Sequence, residues 1–416
     1  MKGERSGLKS NFRSTVDGRP IGYNQENNIG FKKEQMITLL NPGKIVFGEG
    51  SFNQFTDDYL QKGFRKLFIV TIPHVVSQVY VMLEKLSDHN VDVKLNDVIV
   101  GEPSFADFEK ILAEARSFGA DSVIGIGGGS VLDVAKLVAA QLKNDQATES
   151  ITGIGNLKER RTYLACIPTT SGTGSEMSPN AIFLDEKGNK IGVISPYLVP
   201  DASYIDPSLT VSVPPFITAI TGIDALSHCL EAYTNKYAHP VIDTIALKGI
   251  RLVFDYLKRA CADGSDLEAR ENIALGSMYG GMCLGPVNTA GVHALAYPLG
   301  ADYHMAHGLS IALLLPAVMD FNLEAAAERH AAIAVAVGAK PGRSAIETGR
   351  LGIELIRELI RDCGLPASLK DAGVRFESID KMATDAMKVQ RLLKNNIREI
   401  TEKDAADIYK AAFEKL

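Results

Sequence analysis

The chain has 416 residues, 46% hydrophobic and 23% charged, a balance that suits a folded, enzyme-sized protein of more than one domain. Its formal net charge of −6 gives no global attraction to nucleic acid or to an anionic membrane, and no long Lys/Arg run supplies a local one. The five cysteines are odd in number and widely spread; they read as reduced thiols of a cytoplasmic protein, which argues against a disulfide framework or a zinc knuckle.

Residues 1–35 carry Asn, Arg, Lys, Gly and Ser with neither helical nor strand period, and read as a polar, disordered extension. Glu4, Asp17 and Glu26 and the lack of a continuous apolar core speak against a targeting peptide. From 36 to 220, short apolar runs alternate with amphipathic stretches. Residues 44–47, 67–70, 91–100, 122–126 and 164–167 are strand-like, while 79–86, 104–118 and 130–142 are helix-like. Such alternation predicts a parallel sheet covered on both faces. Residues 181–184 and 190–194, joined by 185–189, predict a hairpin at the margin of that sheet. After Pro214 the strand signal vanishes, and helical periodicity runs through 217–233, 241–262, 267–284, 325–337, 345–363, 379–387 and 403–413. The expected architecture is therefore an α/β dinucleotide-binding domain with a Rossmann-like parallel sheet over 36–220, then an all-helical domain over 221–416. The apolar run 311–316 is too short to span a bilayer and ends at Pro316.

Two loops carry the chemistry of the first half. Gly127, Gly128, Gly129 and Ser130 lie between a buried strand and a helix, where glycine lets backbone approach a ligand and the helix N-terminus offers free N–H groups to phosphate. Ser130 stands where the dinucleotide fingerprint starting at Gly125 has its third glycine, so a tight turn capped by Ser130 fits the same residues. The stretch 168–176 follows the next strand and holds five hydroxyl residues among small ones, more than a turn requires. Both loops fall at the carboxyl ends of neighbouring strands, where α/β sheets bind nucleotides. In the second half, Asp224 and His228 are four apart and share one helix face. Such a pair is most often a surface contact, but here its flanks are apolar, and a buried Asp needs a partner or a cation. With His293 and His307 it forms a set able to chelate a divalent ion. Tyr279-Gly280-Gly281-Met282 reads as helix packing with close approach of backbones at the glycines.

From about residue 39 onward the chain resembles the iron-containing (group III) alcohol dehydrogenase family. The matching pieces are Gly127 to Ser130 with Asp133 and Lys136, the loop 168–176, Asp224 with His228, and the segment 293–308, in that order and spacing. The resemblance implies metal and nicotinamide cofactor in a cleft between an α/β and a helical domain. It makes Asp224, His228, His293 and His307 the metal ligands, and sets Gly127, Gly128, Gly129, Ser130, Asp133, Thr169, Thr170 and Thr173 along the cofactor. The implied activity is a metal-dependent, NAD- or NADP-linked alcohol dehydrogenase (aldehyde or ketone reductase) with Fe2+ or Zn2+. It acts on a small molecule, with no nucleic acid or membrane partner, as a homodimer or larger homo-oligomer. Related readings on the same fold are a hydroxyacid–oxoacid transhydrogenase, a reductase for a dedicated carboxylated or phosphonated aldehyde, a maleylacetate reductase or a filament-forming subunit; the complete ligand set disfavours the last two. Two positions depart from the family pattern. Tyr297 stands where many members carry a further histidine, which leaves Tyr297 or His304 to relay the proton. Ile72 stands where many carry an acidic residue after the second strand, so repulsion of a 2′-phosphate is lost and NADP is admitted.

Overall fold

Every strand among the described residues (36–186 and 188–414 of this computed structural model) lies before Asp206. The reading of residues 1–35 falls outside them. In chain order come β1 (Lys44–Phe47), α1 (Ser51–Gln61), β2 (Lys66–Val70), α2 (Pro73–Asp88), β3 (Asp92–Asn96), α3 (Phe105–Phe118), β4 (Ser122–Gly127) and α4 (Gly129–Gln141). The short α5 (Thr148–Ile151) and β5 (Gly153–Ile154) follow, then β6 (Tyr163–Pro168), β7 (Asn180–Leu184), β8 (Lys190–Ile194) and β9 (Ala202–Ile205). Six strands form one all-parallel sheet in the order β1-β9-β6-β4-β2-β3. Its central strands are continuous apolar runs because both faces are covered: all of β4 is buried, as is β6 after its first residue.

The hairpin forms as expected, with β7 antiparallel to β8, but not at the margin of the large sheet. It joins β5 in a separate three-stranded sheet. The reason lies in β6, whose two sides are taken by β4 and β9. Neither α1 nor β9 is apparent from the sequence pattern. α1 buries only Ser51, Phe52, Phe55, Thr56 and Tyr59 among polar neighbours, and β9 is four residues long.

From Pro215 the described chain is helical: α6 (Pro215–Tyr233), α7 (Pro240–Ala262), α8 (Leu267–Leu284), α9 (Gly291–Tyr303), α10 (His307–Asn322), α11 (Ala327–Ala336), α12 (Ala345–Asp362), α13 (Ile379–Ala386), α14 (Gln390–Leu393) and α15 (Glu402–Glu414). α6 is buried on nearly every side from Thr218 to Tyr233 and packs against α7, α8 and α10. α9 and α10 went unread in the sequence for a physical reason. Both are apolar almost all round, so no 3.6-residue stripe marks them, and each contains a proline, Pro298 and Pro316. No single helix among the described residues is long and apolar enough to cross a membrane.

The two halves meet through main chain. Residues 37–416 form one compact unit. At Gly174, which takes a left-handed φ of 60°, an added Cβ would lie 2.3 Å from Gly281 Cα of α8. At Gly308 one would lie 2.2 Å from the Ile220 carbonyl oxygen of α6. Only glycine permits either approach. The first meets the expectation that the glycines of 279–282 serve close packing.

Candidate metal and cofactor site

The glycine turn is built to leave main-chain donors open. Gly128 is the N-cap of α4, no side chain accepts from the first turn, and no acidic residue lies there. Ser130 therefore sits inside the helix and does not cap it. The unpaired N–H groups and the positive end of the helix dipole face the loop that follows β6. A Cβ at Gly129 would fall 2.6 Å from Thr173 Cγ2, and one at Gly128 3.3 Å from Thr170 Oγ1, so both threonines lie against the turn. Thr169 is buried and donates its N–H to the Gly127 carbonyl at 3.0 Å, which ties the two loops together.

Asp133 is engaged by the loop after β6 and by β7. Its Oδ1 accepts from Ser175 Oγ at 2.5 Å and its Oδ2 from the Ile182 N–H at 2.9 Å. Lys136, fully buried, donates to the Ser175 carbonyl and hydroxyl, both at 2.9 Å, and to the Asn180 carbonyl. Through these bonds Asp133 fastens the loop 168–176 to α4 and β7.

The second cluster is assembled by three helices. α6 presents Asp224 and His228 one turn apart, α9 presents His293 from its first turn, and His307 opens α10. Asp224 Oδ1 lies 3.4 Å from His293 Nε2, 3.6 Å from His228 Nε2 and 3.7 Å from His307 Nε2. Donor atoms about 2.1 Å from a tetrahedral ion stand about 3.4 Å apart, so this spacing fits a bound cation. Asp224 Oδ1 and His293 Nε2 are buried with no hydrogen-bond partner, which burial tolerates poorly unless a cation takes up their lone pairs. Burial would raise the Asp224 carboxyl, yet the three imidazoles outweigh it and hold that carboxyl well below the usual range. Burial lowers His228, and burial aided by the Lys190 ammonium lowers His307 strongly, so both keep a neutral ring with a lone pair to give. These residues fit the divalent metal that the resemblance implies.

Glu231, overlooked in the sequence, completes the cluster. It accepts the Nδ1 proton of His293, and its other oxygen accepts from the N–H groups of Ala290 at 3.0 Å and Val292 at 2.7 Å. Burial would lower His293, but the Glu231 and Asp224 carboxylates hold it up at about 9, so a cation bound at Nε2 would have to displace the proton there. Glu231 thus sets the tautomer that points Nε2 inward. Its spacing was the available signal, since 224, 228 and 231 fall on one helical face. Glu231→Gln is expected to weaken metal binding by about 10- to 100-fold, measured by titration against a competing chelator.

Tyr297 and His304 part company. The Tyr297 ring centroid is 6.5 Å from that of His307, the Lys190 ammonium sits 5.6 Å over the ring, and Arg391 donates to its hydroxyl at 3.4 Å. His304 is exposed, caps α9 with a left-handed φ of 49°, and makes no ring contact with the four-residue cluster. Its part is to turn the chain so that His307 starts α10. Cys229 points away from the cluster, its thiol 3.9 Å from the Gly276 carbonyl.

Comparison with known proteins matches residues 42–207 to the iron-containing alcohol dehydrogenase model and residues 218–413 to the Fe-containing alcohol dehydrogenase family, C-terminal model. The long-chain-alcohol dehydrogenase 1 of Geobacillus thermodenitrificans is 38% identical over 90% of this chain and 98% of its own length. A crystal structure of 1,3-propanediol oxidoreductase superposes with a TM-score of 0.87 at 32% identity, covering 91% of this chain and all of that one. The sulfoacetaldehyde reductase from Bifidobacterium kashiwanohense, solved in complex with NAD+, gives a TM-score of 0.82 at 27% identity over 92% of this chain and all of its own. The four converging donors lie in the region matched by the second model and the glycine turn in the region matched by the first; this chain belongs to the iron-containing alcohol dehydrogenase family.

Proposed function

We propose that the chain interconverts an alcohol with an aldehyde or ketone by hydride transfer with a nicotinamide cofactor. The observation that carries this reading is the clustering of Asp224, His228 and His293, whose donor atoms lie within 4.8 Å of one another, with His307 Nε2 3.7 Å from Asp224 Oδ1 and with Asp224 Oδ1 and His293 Nε2 unpaired. A divalent ion held by Asp224, His228, His293 and His307 would supply Lewis acidity to the substrate oxygen, and a bound nicotinamide would supply the hydride chemistry. The chain's own part is placement. Gly127, Gly128, Gly129 and Ser130 receive the pyrophosphate on free N–H groups, and Thr170 and Thr173 line the way toward α6. Asp133 and Lys136 hold that loop from beneath. Asp224, His228 and His293, 5% or less exposed, keep water from the inner side, while the His307 side chain, 26% exposed, marks the open side where substrate enters. Tyr297, beside that opening, is our choice for the group that passes the proton outward through its hydroxyl, which accepts a hydrogen bond from Arg391.

The test is an assay of alcohols and aldehydes with NAD and with NADP after reconstitution with Fe2+ or Zn2+. Metal-dependent reduction or oxidation of the nicotinamide is expected, and a metal-loaded protein that turns over no member of the panel overturns the reading. Both cofactors are expected to be used, because Ile72 at the N-cap of α2 brings no carboxylate to the end of β2. Ile72→Asp is expected to raise the NAD to NADP ratio of kcat/KM at least tenfold, a like-charge effect of about 1.4 kcal/mol. The free thiols of all five cysteines support a cytoplasmic setting. Assembly as a homodimer or larger homo-oligomer is measured by sedimentation velocity.

A further inference from the structure

Behind the cluster, between α6, α9, α10 and α11, lies a small internal cavity with room for about one water molecule. Of the residues that line it, all but Thr234 are buried. Most of the wall is aliphatic, but three polar side chains on it have bonding capacity to spare. His330, 1% exposed, meets the Ala326 carbonyl with its Nδ1 at 3.0 Å, so the ring proton sits on Nδ1. Burial lowers the basicity of this ring and keeps it neutral. Its Nε2 is then a bare acceptor, and among the described residues it makes no hydrogen bond. Glu231 Oε2 takes one bond, from His293 Nδ1, and as a carboxylate oxygen has a second lone pair. Asn322 Nδ2 gives one proton to Asn396 Oδ1 at 2.9 Å and keeps another. Asn396 Nδ2 donates both to Asn322 Oδ1 and to the Arg398 carbonyl, which fixes the orientation of the two amides.

Two acceptors and one donor around one cavity suit a water molecule in number and sign, since water donates twice and accepts as well. An apolar cavity stays dry, whereas one that offers three polar partners holds its water. We propose that a water molecule is bound in this cavity, donating to His330 Nε2 and Glu231 Oε2 and accepting from Asn322 Nδ2. Glu231 already takes bonds from Ala290, Val292 and His293, and the water supplies a fourth. His330 is thereby a positioning residue: through the water it steadies the carboxylate that aims His293. The positioning role rests on the metal reading above; the water site rests on the cavity and its partners alone.

A crystal structure of the metal-loaded protein tests the site, and an ordered water within hydrogen-bond distance of His330 Nε2 and Glu231 Oε2 is expected. The role is read with Co2+ as the probe ion, by its affinity against a competing chelator and by its visible spectrum. Val318→Leu fills the cavity, leaves every polar group in place and is expected to expel the water. His330→Leu removes one acceptor. Both are expected to weaken Co2+ binding by about three- to tenfold, less than loss of a direct partner of the ligand, and to shift the spectrum. His330→Gln, whose amide oxygen reaches where Nε2 stands, is expected to restore most of the affinity. Melting followed by circular dichroism shows which variants fold, and Val318→Leu decides if His330→Leu does not. A dry cavity in the wild type overturns the water site. A Co2+ affinity and spectrum unmoved by Val318→Leu, or a His330→Gln no better than a folded His330→Leu, overturns the positioning role. A wild type that binds no Co2+ overturns the metal reading and the positioning role with it, while the crystal structure still decides the water.

Discussion

His293→Ala is expected to yield a folded protein that holds less than a tenth of the wild-type metal and has lost at least 1,000-fold in kcat/KM. Three donors would remain, but the change also removes the partner of the buried Glu231, whose two main-chain bonds with Ala290 and Val292 persist. The loss of a ligand and of the bond that aims it act together, and a 1,000-fold loss corresponds to about 4 kcal/mol of transition-state stabilisation. Metal content by elemental analysis and activity after reconstitution check the two halves of this expectation. The chain has no tryptophan, so circular dichroism, not indole fluorescence, reads the fold. A variant that kept its metal and turned over at the wild-type rate would remove His293 from the site.

Gly174→Ala is expected to have the largest effect on stability. The position takes a left-handed φ of 60°, which costs an L-residue with a Cβ about 1–2 kcal/mol. The new methyl would also press on Gly281 Cα at 2.3 Å, with the Ser277 carbonyl oxygen 3.1 Å away, and overpacking of this kind costs about 1–3 kcal/mol. Because backbone bounds the gap on both sides, neither contact is relieved by a rotamer change. The sum, about 3 kcal/mol, appears as a lower midpoint in chemical denaturation. Activity should fall as well, since the displaced segment begins two residues after Gly172, whose own Cβ would meet Thr221 of α6 at 2.7 Å. A midpoint and kcat equal to wild type would show that this approach is not tight.

How far the sequence led depended on how each element earns its stability. The parallel sheet was legible because β2, β4 and β6 are buried on both faces and so appear as unbroken apolar runs between turns. The helices α7 and α12 were legible for the opposite reason, each having one wet face and one dry face. α9 and α10, which bring His293 and His307, have no wet face to speak of and left no stripe to read. Their histidines were therefore found as isolated motifs and through the family likeness, without their elements. The partners of Asp133, Ser175 and the Ile182 N–H, lie 42 and 49 positions away, and only the fold brings them to it. Arg391 had no local signature at all. It lies 94 positions from Tyr297, and only the packing of α14 on α9 joins them.

The contacts of Gly174 with Gly281 and of Gly308 with Ile220 tie the loop 168–176 and the second residue of α10 to α8 and α6 through backbone. The spacing between the loop 168–176 and the four-residue cluster is consequently insulated from the identity of the surrounding side chains. Residues such as Lys190, Tyr297 and Arg391 are then free to vary without disturbing that frame, so a lineage built on it can change which molecules it accepts while its reaction geometry is inherited intact.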